Sequence, residues 1–291
     1  MRLCFDATKF GYGLQESVQL AMDNKLTACE FSFDSFDIAD EAARALSEDE
    51  SVYLKTVDEF SRANDIEIAC LRLKSVLQVS NPDSLRQFEA MIDKLSKVAR
   101  ALSCKRILFY LSAESNPDWL QQVETALNPL VASLREQGLT LVLSLSTPAQ
   151  FLGKSLRTWR PIEPQEWREL IAGVPGLGLS FAVADCAWQG IDYLRVISGL
   201  AAAIEHVEAQ DVYVNRQIIS ENGIFGPLWW SYKTVGKGQV DWAQFVEALK
   251  LYEYAGSLSI QFKDEFASES ETGLWEAMES SIKLLTPLLK Y

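Results

Sequence analysis

The sequence predicts an α/β protein, a single (β/α)8 barrel spanning residues 1–291. Three observations lead there. Short apolar, strand-like runs alternate with amphipathic helical stretches along the whole chain, the pattern of a parallel sheet whose strands are joined by helices. Eight such strands can be counted, which points to a closed barrel more than to an open doubly wound sheet. With 291 residues, 48% hydrophobic and 11% aromatic, the chain can bury one large core, and barrels of this length fold as one domain.

Residues 2–6 read as the first strand, 14–24 as a helix, and 28–33 as the second strand, with Leu26 just before it. After the acidic segment 34–50 come a helix over 52–64 and a third strand over 66–73. Pro82 opens a long helix through Ala101, and 106–111 is the fourth strand. Pro117 begins a helix running to residue 137, which Gly138 closes before the fifth strand, 139–145. Residues 157–167, with Pro161 and Pro164, read as a loop and a helix start. The sixth strand is 177–182, its helix 193–205, and the seventh strand 211–216. Residues 234–265 form the clearest single repeat. Gly236 and Gly238 mark a turn, Asp241 stands where an N-cap belongs, and Trp242, Phe245, Val246, Leu249 and residues 251–252 recur at helical spacing. Gly256 breaks the helix and 257–262 alternate as the last strand. No linker, low-complexity segment or second domain is evident.

The net charge of −13, from 40 acidic against 27 basic residues, argues against a nucleic-acid partner, because neutralising phosphates needs a basic surface. Cys4, Cys29, Cys70, Cys104 and Cys186 are scattered without CxxC or Cys/His spacing, as reduced core thiols of a cytosolic protein are. No uninterrupted apolar run reaches about 18 residues, so no membrane partner is expected, and a soluble, cytoplasmic chain is.

The opening RLCFDATKFG followed by a helix and TACEFSF, the segments GLTLVLSLS and GLGLSFAVADCAWQG, and the closing GKGQVDWAQFVEALKLYEYAGSLSIQF resemble, in order, the xylose isomerase-like TIM barrels. That superfamily includes sugar-phosphate isomerases and epimerases, inosose dehydratase-like enzymes and endonuclease IV. The resemblance covers essentially the whole chain, and its closing segment is the most specific part. It implies a divalent metal held by a Glu on strand five, an Asp and a His three residues later on strand six, a His on strand seven and a Glu on strand eight. Here those positions fall on Ser144, on Ser180 and Val183, near Val214 or Asn215, and on Gln261. All four ligand sites look lost, since Ser, Val and Gln are poor substitutes for carboxylate and imidazole donors. The single histidine, His206, reads as the end of a helix, not as a ligand. The expectation is therefore no metal and no other cofactor.

Residues near the C-terminal strand ends face the mouth of such a barrel. On one parity these are Asp6, Glu30, Ser32, Ser144, Ser146, Ser180, Arg216, Gln261 and Lys263, joined by Arg72 or Lys74 and by Tyr110. Acids, hydroxyls and cations together suit a carbohydrate-like or carboxylate ligand. Glu30, whose strand-two position the resemblance also fills with Glu, could serve as a general base if desolvation raised its pKa, with Lys263 as its partner. The competing reading is an internal ion pair of Glu30 with Arg216 or Lys263 in a silent barrel.

Residues 217–235 form a long connection carrying Phe225, Pro227, Trp229, Trp230, Tyr232 and Lys233. Its aromatic side chains could line the pocket or close it as a lid, plug the mouth, or make a homodimer contact. The acidic run 47–51 reads as a solvated loop, and Gly236-Lys237-Gly238 as a turn and not an anion nest. Two function classes follow. One is a metal-independent isomerase- or epimerase-like enzyme using Glu30, Arg216 and Lys263; the other is a pseudoenzyme kept as a sensor or interaction scaffold.

Overall fold

Strands buried on both faces read as nearly unbroken apolar runs, because one face meets helices and the other meets the strand opposite. In a computed structural model, which describes residues 1–33, 48–146, 159–224 and 226–290, this is how the runs are used. In chain order the strands are β1 (Arg2–Phe5), β2 (Ala28–Phe33), β3 (Glu67–Gln78), β4 (Arg106–Glu114), β5 (Thr140–Ser144), β6 (Trp159–Arg160), β7 (Gly178–Ala182), β8 (Ile204–Ala209), β9 (Asp211–Val214), β10 (Trp230–Lys233) and β11 (Ser257–Ile260). Eight pair in parallel in the order β1-β11-β8-β7-β5-β4-β3-β2. A parallel bridge between Asp6 and Glu30 joins β2 back to β1 and completes the ring. Most of the acidic segment 34–50, the start of the 157–167 stretch and Phe225 lie outside the described residues.

The helices form where capping and spacing require. In Pro82–Ala101, the Asn81 side chain accepts from the N–H of Asp83 and Ser84 at 2.9 and 3.2 Å, and Pro82 fills the first turn, where no N–H is needed. Phe88, Met91, Ile92, Leu95 and Val98 lie on one face and are buried against the sheet. In Trp242–Leu251, Asp241 accepts from Gln244 N at 3.0 Å, and Trp242, Phe245, Val246 and Leu249 are buried. Leu251 and Tyr252 do not continue that face: both are exposed, and the helix ends at Leu251, before Gly256.

The main correction concerns the seventh barrel strand. The helix expected over 193–205 ends at Leu200, a short 3-10 turn covers Ala201–Ala203, and the barrel strand is β8. Three consecutive alanines favour helix, which extended the pattern past its end. The expected strand 211–216 is instead β9, which pairs antiparallel with β10 as a hairpin beside the barrel. The hairpin is tied down by the buried carboxylate of Asp211, which accepts from Gly236 N at 2.9 Å, Val240 N at 3.0 Å and Trp242 Nε1 at 3.0 Å. The Gly236-Lys237-Gly238 turn thus surrounds an anion, but one belonging to the chain itself. A side chain at position 238 would meet Asp211 Oδ1 at 2.2 Å, so only glycine fits there.

Outward residues such as Phe5, Leu71, Ile107, Phe109, Leu143, Phe181, Val207 and Ile260 pack with the helices in the main core. Inside the ring the filling is smaller. Cys4, Ala28 and Ala69 form one set, and Cys70, Leu108 and Val142 another, layered as barrel interiors are. All five cysteines are buried thiols, and burial pushes those of Cys29 and Cys104 up to about 12. No described helix is long and apolar enough to cross a membrane.

A thiol reagent such as DTNB should therefore leave the native protein unlabelled and titrate all five cysteines only after denaturation. Rapid labelling of any thiol under native conditions would contradict this packing.

Candidate functional site

Above the small-residue layers the barrel interior turns polar. Glu30 on β2, Arg72 on β3, Ser144 on β5, Ser180 on β7, and His206 and Glu208 on β8 are all buried. The ladder slips beside three of them: the pairing register shifts between Cys29 and Glu30, after Arg72, and between Leu179 and Ser180. Such irregularities re-aim side chains.

Arg72 is the hub. Its Nε donates to Glu30 Oε1, and its Nη1 donates to Tyr110 OH at 2.8 Å and to Glu208 Oε1 at 2.9 Å. His206 Nε2 lies 3.0 Å from the other oxygen of Glu30 and donates to it, since an ionised carboxylate only accepts. The Ser180 hydroxyl is 2.8 Å from His206 Nδ1, and Ser144 Oγ donates to Glu208 Oε1 at 2.6 Å. On the mouth side, Lys263 Nζ lies 3.3 Å from Glu208 Oε2, donates to Ser146 Oγ, and sits 5.3 Å from the centre of the Tyr232 ring. Tyr232 OH in turn donates to Asp185 at 3.0 Å. Arg72 Nη2 is buried and has no acceptor among the described residues.

Electrostatics follow from this geometry. Burial works against the charge on Glu30, but the Arg72 guanidinium, then His206, hold its carboxyl well below the usual carboxylate range. Glu208 behaves alike: burial raises it, and Arg72 followed by Lys263 bring it down to about 2. Burial pulls the Lys263 ammonium down, yet Glu208 and Asp185 outweigh it and the shift is upward. Burial pushes Tyr110 up. The pKa rise expected for Glu30 from desolvation is thus overcome by its charged neighbours.

Several of the residues expected at the site converge. Glu30, Arg72, Tyr110, Ser144 and Ser180 belong to one hydrogen-bonded network, and Lys263 joins it through Glu208, not through Glu30. Gln261 is half-buried and bonds back to Ser259. Asp6 and Ser32 bond to each other nearby, and Lys74 is half-buried farther along β3. Arg216 does not converge: it is exposed at the start of the helix Arg216–Asn222, outside the barrel. Trp229 and Trp230 are half-buried and pack on the hairpin's neighbour, the helix Val183–Trp188. Trp230 stacks on Trp188 with ring centres 4.4 Å apart and planes 6° from parallel.

Sequence reasoning missed His206, Glu208 and Asp185 as members of this set, and held Tyr232 only as one of the aromatic residues of the 217–235 connection. For β8 there was a signal in the alternation IEHVEA, polar inward and apolar outward, but it reads weakly beside the apolar VYV of β9. The strand-seven position therefore falls on β8, with His206 and Glu208 inward, and not on Val214 or Asn215, which lie in the hairpin and cap the helix after it.

Among the described residues, Cys4, Glu30 and His206 bring a thiol, a carboxylate and an imidazole within 4.8 Å of one another. The donors are occupied: both oxygens of Glu30 are bonded, one of them to a cation. A depression of about 500 Å3 lined by Gln15, Glu16, Gln19, Tyr53 and Phe60 lies on the outside, on the helices Leu14–Asp23 and Glu48–Ala63.

The ring of parallel strands defines a (β/α)8 barrel, and its polar residues gather inside the ring. The chain belongs to the xylose isomerase-like TIM barrel family, whose sequence model matches residues 18–284. It is 28% identical over 116 residues to the uncharacterized protein YfiH of Bacillus subtilis (strain 168), a match covering 36% of this chain and 37% of YfiH. The probable 3-DHS dehydratase AsbF of Bacillus anthracis superposes with a TM-score of 0.72 at 12% identity, over 98% of this chain and 99% of AsbF. An L-ribulose 3-epimerase does so with a TM-score of 0.71 at 13% identity, over 99% and 94%. At these identities the structural likeness shows the fold alone.

The depressed carboxyl of Glu208 predicts acid lability. As pH falls, the unfolded chain takes up the proton near the ordinary value of 4.5, while the folded chain resists it down to about 2. Stability present above the first value is lost between the two. Denaturation midpoints measured from about pH 5 to about pH 2.5 should fall more shallowly in Glu208→Gln than in the wild type. The variant should also be weaker throughout, because unpairing a buried charge costs roughly 3–5 kcal/mol. Parallel acid limbs would mean that Glu208 is not held ionised.

Proposed function

We propose that this barrel binds a small neutral polyhydroxy compound at its C-terminal mouth, without a divalent metal, in a function related to the sugar isomerases and epimerases of its family. The observation that carries this reading is the charge balance of the interior. Two cations, Arg72 and Lys263, face two carboxylates, Glu30 and Glu208, and all four are bonded to one another in a chain. Asp185 adds one more carboxylate near Lys263. An anionic ligand gains no net attraction from such a set, whereas hydroxyl groups find donors and acceptors side by side. The groups reachable from the mouth are Lys263, 26% exposed at its side chain, and the half-buried Tyr110 and Gln261.

The residues present do not suit a hard divalent ion. Ser144 and Ser180 are hydroxyls, each spent on a neighbouring side chain, and Gln261 is a neutral amide bonded to Ser259. Glu30 and Glu208 are already paired with organic cations. Solved relatives in fold include an L-ribulose 3-epimerase and a D-psicose 3-epimerase crystallised with D-fructose, which makes ketoses the first ligands to try.

A second reading, a barrel retained as a sensor or interaction scaffold, is favoured by a different fact. Proton transfer at a sugar carbon needs groups that titrate near working pH. Glu30 and Glu208 are clamped in the ionised form, so neither shuttles a proton, and the Glu30–Lys263 acid-base pair has no direct contact behind it.

Thermal unfolding with neutral sugars and cyclitols, D-fructose among them, and with sugar phosphates and hydroxy acids, each with and without EDTA, separates the readings. The expected result is a midpoint raised by a neutral polyol and unchanged by EDTA. Lys263→Met should weaken that polyol's binding by roughly tenfold or more, the size of a lost hydrogen bond to a charged group. Stronger shifts with phosphates or carboxylates would overturn the charge argument. Shifts abolished by EDTA would restore a metal.

A further inference from the structure

We infer that the Arg72 guanidinium stands in for a divalent cation: it supplies the positive charge that keeps Cys4, Glu30 and His206 from forming a metal site. These three residues come from β1, β2 and β8, so the cluster shares with the ligand positions that the family resemblance implies only the seventh barrel strand, β8, and takes its other two members from strands one and two. Each is fully buried, and their ligand atoms lie within 4.8 Å of one another. Thiolate, carboxylate and imidazole are the donors of a tetrahedral zinc site, which holds them at roughly 2.0–2.3 Å from the ion. Only small side-chain movements separate that arrangement from the one observed.

What occupies the cluster instead is visible in its bonds. Arg72 Nε takes one oxygen of Glu30 and His206 Nε2 takes the other, so the carboxylate has a counter-charge and a donor on each oxygen. A dication beside the guanidinium would meet strong repulsion in a low-dielectric interior. Arg72 also reaches Glu208 and Tyr110, so one cation pairs with two carboxylates on separate strands, a bridging task otherwise suited to an ion.

The inference predicts that metal independence rests on one residue. Cobalt(II) is the probe, because a cobalt–thiolate bond absorbs strongly near the ultraviolet edge and reports Cys4 directly. The wild-type protein should bind no stoichiometric cobalt or zinc. Arg72→Met should bind about one ion per chain, show the thiolate charge-transfer band, and lose it when Cys4→Ser is added. Its unfolding midpoint should rise with zinc and fall with EDTA, whereas the wild type should respond to neither. Arg72→Lys, which keeps the charge, should remain free of metal. Three results would overturn the inference: a cobalt–thiolate band in the wild type, a folded Arg72→Met that binds no ion, or an Arg72→Met that zinc cannot fold. Failure of every sugar in the ligand panel would leave it standing, since none of these readouts needs a ligand.

Discussion

A guanidinium held at the centre of a closed barrel is the constraint on which the rest of the interior depends. Arg72 is 2% exposed, and a charge so placed is tolerated only when its bonds repay the lost hydration. The payment is made across the ring, by Glu30 on β2 and Glu208 on β8, with Tyr110 on β4 completing the set. The seryl and imidazole groups around them then take the orientations these two carboxylates leave open. Removing either acid would strand the arginine, and removing the arginine would strand both acids.

The two ends of the barrel use charge differently. At the N-terminal strand ends, Arg2, Glu67, Arg106 and Glu205 form half-exposed pairs at 3.1 to 3.4 Å, where water screens each interaction and its worth is small. Toward the C-terminal ends the same kinds of group are buried, and their ionisation is displaced in consequence. The two faces of the ring thus differ in burial, not in the kinds of charged group that they carry.

The β9–β10 hairpin shows how an aromatic-rich connection can be structural. Trp229 and Trp230 looked like pocket residues because a long loop beside a barrel strand usually serves the mouth. They pack on Trp188 instead, and the register of the hairpin places only Tyr232 among them against Lys263 and Asp185. The buried Asp211 carboxylate holds this excursion to the start of the helix Trp242–Leu251.

The sequence by itself determined the repeating β/α order, most element boundaries and the inward parity that brings Glu30, Tyr110, Ser144, Ser180 and Lys263 to one interior, because periodicity and capping are local signals. It placed Arg72 there as one of two choices. Only the tertiary structure decided the partners. Whether Glu30 meets Arg72 or Lys263, whether Arg216 points in or out, and whether residues 204–209 or 211–216 close the ring all depend on contacts far apart in the chain. His206 on β8 reaches Glu30 across 176 positions, and nothing in the spacing of AAAIEHVEA encodes that. The outward apolar face of β8 is carried by Val207 and Ala209 alone, too short a signal to outrank the VYV of β9, so its identity emerges only when the seven other strands leave one place to fill.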